Sequence, residues 1–105
     1  MMHLVPAEVK GEIRQLANVV HERRLGKELA RLEAEFARWR RGEIDAFELA
    51  SRAHRFHEGA PRELWQTYNT YHLETLKGLV AEAIADGTLR VEEVSAEALA
   101  LLSRK

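Results

Sequence analysis

The sequence predicts an all-α fold: a small bundle of four to five helices, with a long N-terminal helix or broken helical arm and short antiparallel connections. Two observations support this prediction. Apolar residues recur at alternating spacings of three and four, which is the helical period. Helix start and stop signals also divide the 105 residues into segments with no long linker between them. A chain of this length is expected to form a single domain.

The N-terminal segment begins at Pro6, because proline is favoured in the first turn of a helix. Two apolar seams follow. The first contains Val9, Ile13, Leu16 and Val20, and the second contains Leu25, Leu29, Leu32, Phe36 and Trp39. The five-residue step between the seams turns the second by about 140° from the first. One packing partner therefore cannot cover both seams.

The helix either breaks near Gly26, where glycine costs about 1 kcal/mol, or stays continuous and offers its two halves to different partners. Two interpretations of the packing also remain open. In the first, residues 1–24 are an N-terminal helical arm, packed differently from a bundle core of residues 25–105, on this chain or on another subunit. In the second, one chain folds as an ordinary helical hairpin. The sequence does not decide whether residues 6–41 form one helix or two.

The second helix has the strongest end signals. Gly42 is expected to end the preceding helix in a left-handed conformation. Asp45 is a favourable N-cap, and Glu48 three residues later would complete a capping box. Gly59 is expected to end this helix.

The remaining elements follow from similar signals. Pro61 opens a helix that is predicted to run to about Ala85, followed by Asp86-Gly87. Residues 89–94 alternate between apolar and polar and predict an extended connector. Ser95 is expected to cap a short final helix.

Three histidines and two aromatic residues are the candidates for a ligand pocket. On the predicted helices these side chains fall within apolar arcs, and antiparallel packing would bring them together. The candidates are His54, His57, Trp65, Tyr68 and His72. Three interpretations remain: core histidines with hydrogen-bond partners, an aromatic-lined ligand pocket, or a metal site formed by the three histidines. No cofactor is predicted.

Arg52 and His57 are the candidates for catalysis. The string from Arg52 to His57 resembles the Arg-x4-6-His signature of HEPN-type ribonucleases, which are small all-α domains that dimerise. The resemblance implies that the arginine and the histidine act on the scissile phosphate. It covers six residues, Ala53 replaces the polar residue usual after the arginine, and the two side chains point about 140° apart on one helix.

Composition restricts the possible partners and location. The net charge of −1 argues against nucleic acid as the partner, although Arg38, Arg40 and Arg41 surround Trp39. No apolar run is long enough to suggest a membrane span. The sequence has no cysteine, which suits a reducing compartment, and a cytoplasmic location is expected.

These observations predict a small, non-enzymatic interaction or regulatory protein that forms a homodimer through its N-terminal helix. A further protein partner is possible. The alternative is a helical enzyme, or a metal- or ligand-binding protein, that uses the histidine cluster.

Overall fold

A computed structural model of the protein describes residues 5–103, which contain five α-helices and one short 3₁₀ helix but no β-strand. The α-helices are α1 (Ala7–Arg40), α2 (Ala46–Glu58), α3 (Ala60–Tyr68), α4 (Leu73–Ala85) and α5 (Ala96–Leu102), and the 3₁₀ helix is Val91–Glu93. The predicted all-α class is confirmed. No helix among residues 5–103 is long and apolar enough to cross a membrane.

α1 is one uninterrupted helix. It has 34 residues and is therefore about 51 Å long. Gly26 lies within it, with no other heavy atom within 4 Å of where a Cβ would stand. Of the two alternatives left open for residues 6–41, the structure has the single helix, in which contacts on a neighbouring turn, such as those of Arg24 with Tyr68 and Asp86, outweigh the cost of about 1 kcal/mol for a helical glycine.

The first seam of α1 lies in the core of its own chain. Ile13 and Val20 are fully buried, and they belong to the same apolar cluster as Val80, Leu89 and Ala98 from the C-terminal half. The packing therefore differs from the arm expected for residues 1–24. Of that segment, residues 5–24 are described, and they form the centre of the fold.

The second half of α1 packs against α2 as a helical hairpin that extends beyond this core. The molecule measures 64 × 24 × 20 Å, and its radius of gyration is 18.0 Å. A compact domain of this length would have a radius of gyration of about 13 Å. The hairpin consequently has fewer neighbours than the core helices.

The helix predicted from Pro61 to Ala85 is interrupted, which corrects the sequence-based expectation. α3 ends at Tyr68 and α4 begins at Leu73. The Thr70 hydroxyl accepts a hydrogen bond from the backbone N–H of His72, at 3.2 Å. Side chains such as Asn69 and Thr70 compete with helical backbone bonds in this way, so the apolar period continues across a turn.

Most of the predicted helix ends are confirmed. Gly42 and Gly87 have φ values of 78° and 84°, in the left-handed region. Asp45 caps α2, and Ser95 caps α5. The connector predicted as extended instead contains the 3₁₀ helix Val91–Glu93.

Candidate functional site

The histidines predicted to point inward are exposed. His54 and His57 lie on the outside of α2, and His72 is the exposed residue before α4. α2 buries a narrower face than its apolar pattern suggested: Leu49 is buried, and Phe56 is half-buried. The break after Tyr68 also removes His72 from the helix that was expected to carry it into the pocket.

Two of the five pocket candidates share a cavity. His57 and Trp65 line an open space of about 360 Å³, together with Glu58, Pro61 and Arg62. Trp65 is 58% exposed. This cavity is a surface groove at the junction of α2 and α3, and its lining does not include His54, Tyr68 or His72.

Tyr68 has a different environment from the one predicted. Its ring stacks on His21, with centroids 5.1 Å apart and planes at 11°. Its hydroxyl accepts a hydrogen bond from Arg24 Nε at 2.9 Å, and Arg24 Nη2 bonds Asp86 at 2.8 Å. The pKa of the Arg24 guanidinium is raised, chiefly by its hydrogen bond to Asp86. These contacts tie α1 to α3 and to the end of α4.

Arg52 is engaged in ion pairs within the hairpin. Its Nε donates to Glu48 at 2.8 Å, and its Nη1 bonds Glu35 on α1. The hydrogen bonds that Arg52 donates to Glu48 and Glu35 raise the pKa of its guanidinium. The described geometry gives Arg52 a clear role in joining α1 to α2, and it does not pair Arg52 with His57.

No group of three or more metal-ligating side chains is assembled among residues 5–103. His54, His57 and His72 therefore do not form a cluster with the spacing of a metal site in this part of the chain.

The Glu35–Arg52 ion pair fixes the register of the hairpin. It places Phe36 within about one residue of the level of Ala50, and Leu29 within about one residue of the level of His57, because the two helices run antiparallel. Phe36, Ala50 and His57 each come one position after a residue that lies at the α1–α2 contact. One position along a helix is a rotation of about 100° around its axis, so these three side chains lie to the side of that contact. Because the two helices are antiparallel, one position along either chain moves the side chain toward the same side of the hairpin.

These four residues define one surface, the hairpin face: Leu29, Phe36, Ala50 and His57. All four are exposed, with Leu29 at 49% and Phe36 at 38%. The face is apolar apart from the imidazole, and the cavity beside Trp65 continues it toward α3. It is the part of the second seam that α2 does not cover.

Two charged residues border this face on α1. Glu33 and Arg40 lie about 40–60° further around the helix than Phe36, on the side away from α2. Other charges of the hairpin are paired, as in Glu28–Arg31, Glu35–Arg38 and Arg41–Glu43. Residues 5–103 provide no ion-pair partner for Glu33 or Arg40.

Sequence reasoning missed the hairpin face and its two flanking charges. The second seam was recognised, but its division into a covered and an uncovered part depends on where α2 packs. The sequence did contain a signal for the two charges: Glu33 and Arg40 are opposite in charge and seven residues apart, so they lie on the same side of the helix.

The chain was compared with protein-family models, curated proteins and solved structures, and none of these comparisons gave a match. The fold and the site together define a class only: a small all-α protein in which a helical hairpin with an uncovered apolar face extends from a core.

Proposed function

We propose that this protein is a small, non-enzymatic interaction or regulatory protein that works as a homodimer. The contact is made through α1, the N-terminal helix, with α2 contributing the other half of the surface. The single observation that carries the proposal is the hairpin face, where Leu29 and Phe36 on α1 are left partly exposed beside Ala50 and His57 on α2. The proposed location is the cytoplasm, since the cysteine-free sequence suits a reducing compartment.

The energetics of the hairpin support this proposal. A pair of helices that buries only the side chains between them gains little stability, and here the hairpin lies largely outside the core. Trp39, near the tip, is also 43% exposed. Burial of apolar surface contributes about 25 cal/mol per Å². Covering this face with a second hairpin would convert a two-helix unit into a four-helix bundle, which is a stable architecture.

The test is the mass in solution, measured by light scattering coupled to size exclusion over a concentration series. The wild-type protein is expected to elute as a dimer. Leu29→Lys places a charge on the apolar hairpin face and is expected to shift the protein to a monomer. Since Leu29 is 49% exposed, the variant should keep the helical content of the wild type.

Ala34→Lys is the matched control, because Ala34 is exposed on the same helix about 140° away from Leu29. It should remain dimeric. A wild-type protein that stays monomeric at every concentration, or a Leu29→Lys variant with unchanged mass, would refute the proposed function.

A further inference from the structure

Glu33 and Arg40 lie along the α1 border of the hairpin face, so their charges would affect how a second copy packs on it. The proposed function supplies the surface and the inference rests on it, but the arrangement of the two copies is a separate matter. The face itself is almost free of charge, so it does not by itself select an orientation. An orientation can instead be selected by Glu33 and Arg40, the unpaired charges along its α1 border.

Two symmetric arrangements bring one hairpin face onto another. In one, the two-fold axis is perpendicular to the helices, so α1 lies on α1 of the second copy and runs antiparallel to it. In the other, the axis is parallel to the helices, and α1 lies on α2 of the second copy. These arrangements place Glu33 and Arg40 against different neighbours.

In the antiparallel arrangement, opposite charges meet. With the two-fold axis between positions 36 and 37, Glu33 of one copy is level with Arg40 of the other, and symmetry forms the contact twice. Phe36 then lies next to the two-fold axis, where the rings of the two copies face each other.

The second arrangement gives neither charge a partner of opposite charge. The border of the face on α2 is formed by Phe47 and His54, which lie further around that helix than Ala50 and His57. Phe47 is 88% exposed. Glu33 and Arg40 would be brought against an aromatic ring and an imidazole, so a cation–π contact and a hydrogen bond are available there but no ion pair between opposite charges.

We infer that the partner covering the hairpin face is a second copy of this chain, packed with α1 antiparallel to α1, and that reciprocal Glu33–Arg40 pairs between the copies set this register. The hairpins overlap from about residue 29 to residue 44, so Leu29 of one copy lies by the hairpin tip of the other. The result is a four-helix bundle formed by the two hairpins, with the core of one copy at one end and the core of the other copy at the opposite end.

Charge reversal tests this register. Glu33→Arg places two cations against each other at both symmetric contacts, and Arg40→Glu places two anions there. Each variant alone is expected to dimerise about tenfold more weakly than the wild type, because both pairs change from attraction to repulsion. An equimolar mixture of the two variants is expected to form a heterodimer of near wild-type affinity, since every contact is then between opposite charges.

The double variant Glu33→Arg with Arg40→Glu should also recover homodimerisation. Lys27→Glu is the control: Lys27 is exposed and lies on the side of α1 opposite Phe36, so its reversal should leave the dimer unchanged. Sedimentation velocity at low ionic strength gives the dissociation constants, and circular dichroism confirms that each variant is folded.

The outcomes separate this inference from the proposed function. If Leu29→Lys abolishes the dimer but the charge reversals have no effect, or the mixture is no tighter than either variant, the function stands and the antiparallel register is wrong. If the wild type is a monomer, the proposed function itself fails and no register exists.

Discussion

At the scale of single residues, ion pairs join distant parts of the chain around the end of the core. Arg23 on α1 makes two hydrogen bonds to the Glu93 carboxylate, at 2.8 and 2.5 Å, and a third to the carbonyl of Thr88 at 2.9 Å. Glu93 also accepts from the backbone N–H of Arg90 at 2.9 Å. The hydrogen bonds from Arg23, followed by that from Arg90, lower the pKa of Glu93 to about 2.

This pKa predicts an acid-sensitive contribution to stability. A carboxylate whose pKa is lower in the folded state stabilises the fold above its ordinary pKa of 4.5, and the contribution is lost as the pH falls through about 2. Glu93→Gln is therefore expected to lower the free energy of unfolding at pH 7, and the difference from wild type should vanish near pH 2. Urea unfolding at fixed protein concentration measures both.

Glu92→Gln serves as the control for this prediction, because Glu92 is exposed and residues 5–103 provide no ion-pair partner for it. Its unfolding curve should follow the wild type at each pH. A Glu93→Gln difference that is the same at pH 7 and pH 2 would show that the substitution acts through something other than the charge.

At the scale of elements, α2 is fixed by its ends and by its attachment to α1. Asp45 has an extended backbone, and its Oδ1 accepts from the N–H of Glu48 at 2.7 Å. The reciprocal half of the predicted capping box is not formed among the described contacts, since the Glu48 carboxylate bonds Arg52 instead. Glu48 therefore links α2 to its ion-pair network, and Asp45 alone serves as the cap.

Asp45→Ala is expected to lower the free energy of unfolding by about 1 kcal/mol, because the helix loses the acceptor for one of its first N–H groups. Asp45→Asn retains an acceptor and should lose much less. Chemical denaturation of the three proteins decides the matter, and equal losses for the two substitutions would mean that the cap does not contribute through its hydrogen bond.

At the scale of the whole molecule, α1 belongs to two structural units. Its first half is the centre of the core, and its second half is one of the two helices of the hairpin. Because α1 is uninterrupted, the hairpin and the core are joined by one continuous helix, which sets the position of the hairpin face relative to the core. The two seams serve two different sets of contacts.

This arrangement predicts the result of deleting residues 1–24. The deletion removes Ile13 and Val20, which are fully buried, along with three other core residues of α1: Val9, Leu16 and Ala17. Truncating one large core residue typically costs about 2–5 kcal/mol, and a domain has about 5–15 kcal/mol of stability. The truncated chain is expected to lose most of its helical circular dichroism signal. A helical, soluble monomer would instead indicate that residues 1–24 are a separate arm.

The sequence by itself determined the local features of this protein. Its periodicity predicted the all-α class, and the signals at Gly42, Asp45, Gly59 and Ser95 placed helix ends correctly. These features depend on interactions within a few residues, which the sequence contains directly. The interruption at residues 69–72 was missed because the apolar period passes through it unchanged.

Only the tertiary structure decided which surfaces are covered. The helical wheel of α2 placed His54 and His57 within an apolar arc, yet burial depends on which helices pack around it. The main neighbours of α2 are α1 and α3, and neither covers these two histidines. The same reasoning applies to α1. Its first seam is buried in the core of its own chain, whereas α2 covers only part of its second seam. A periodic pattern states that a helix has an apolar face, but it does not identify the element that packs on that face.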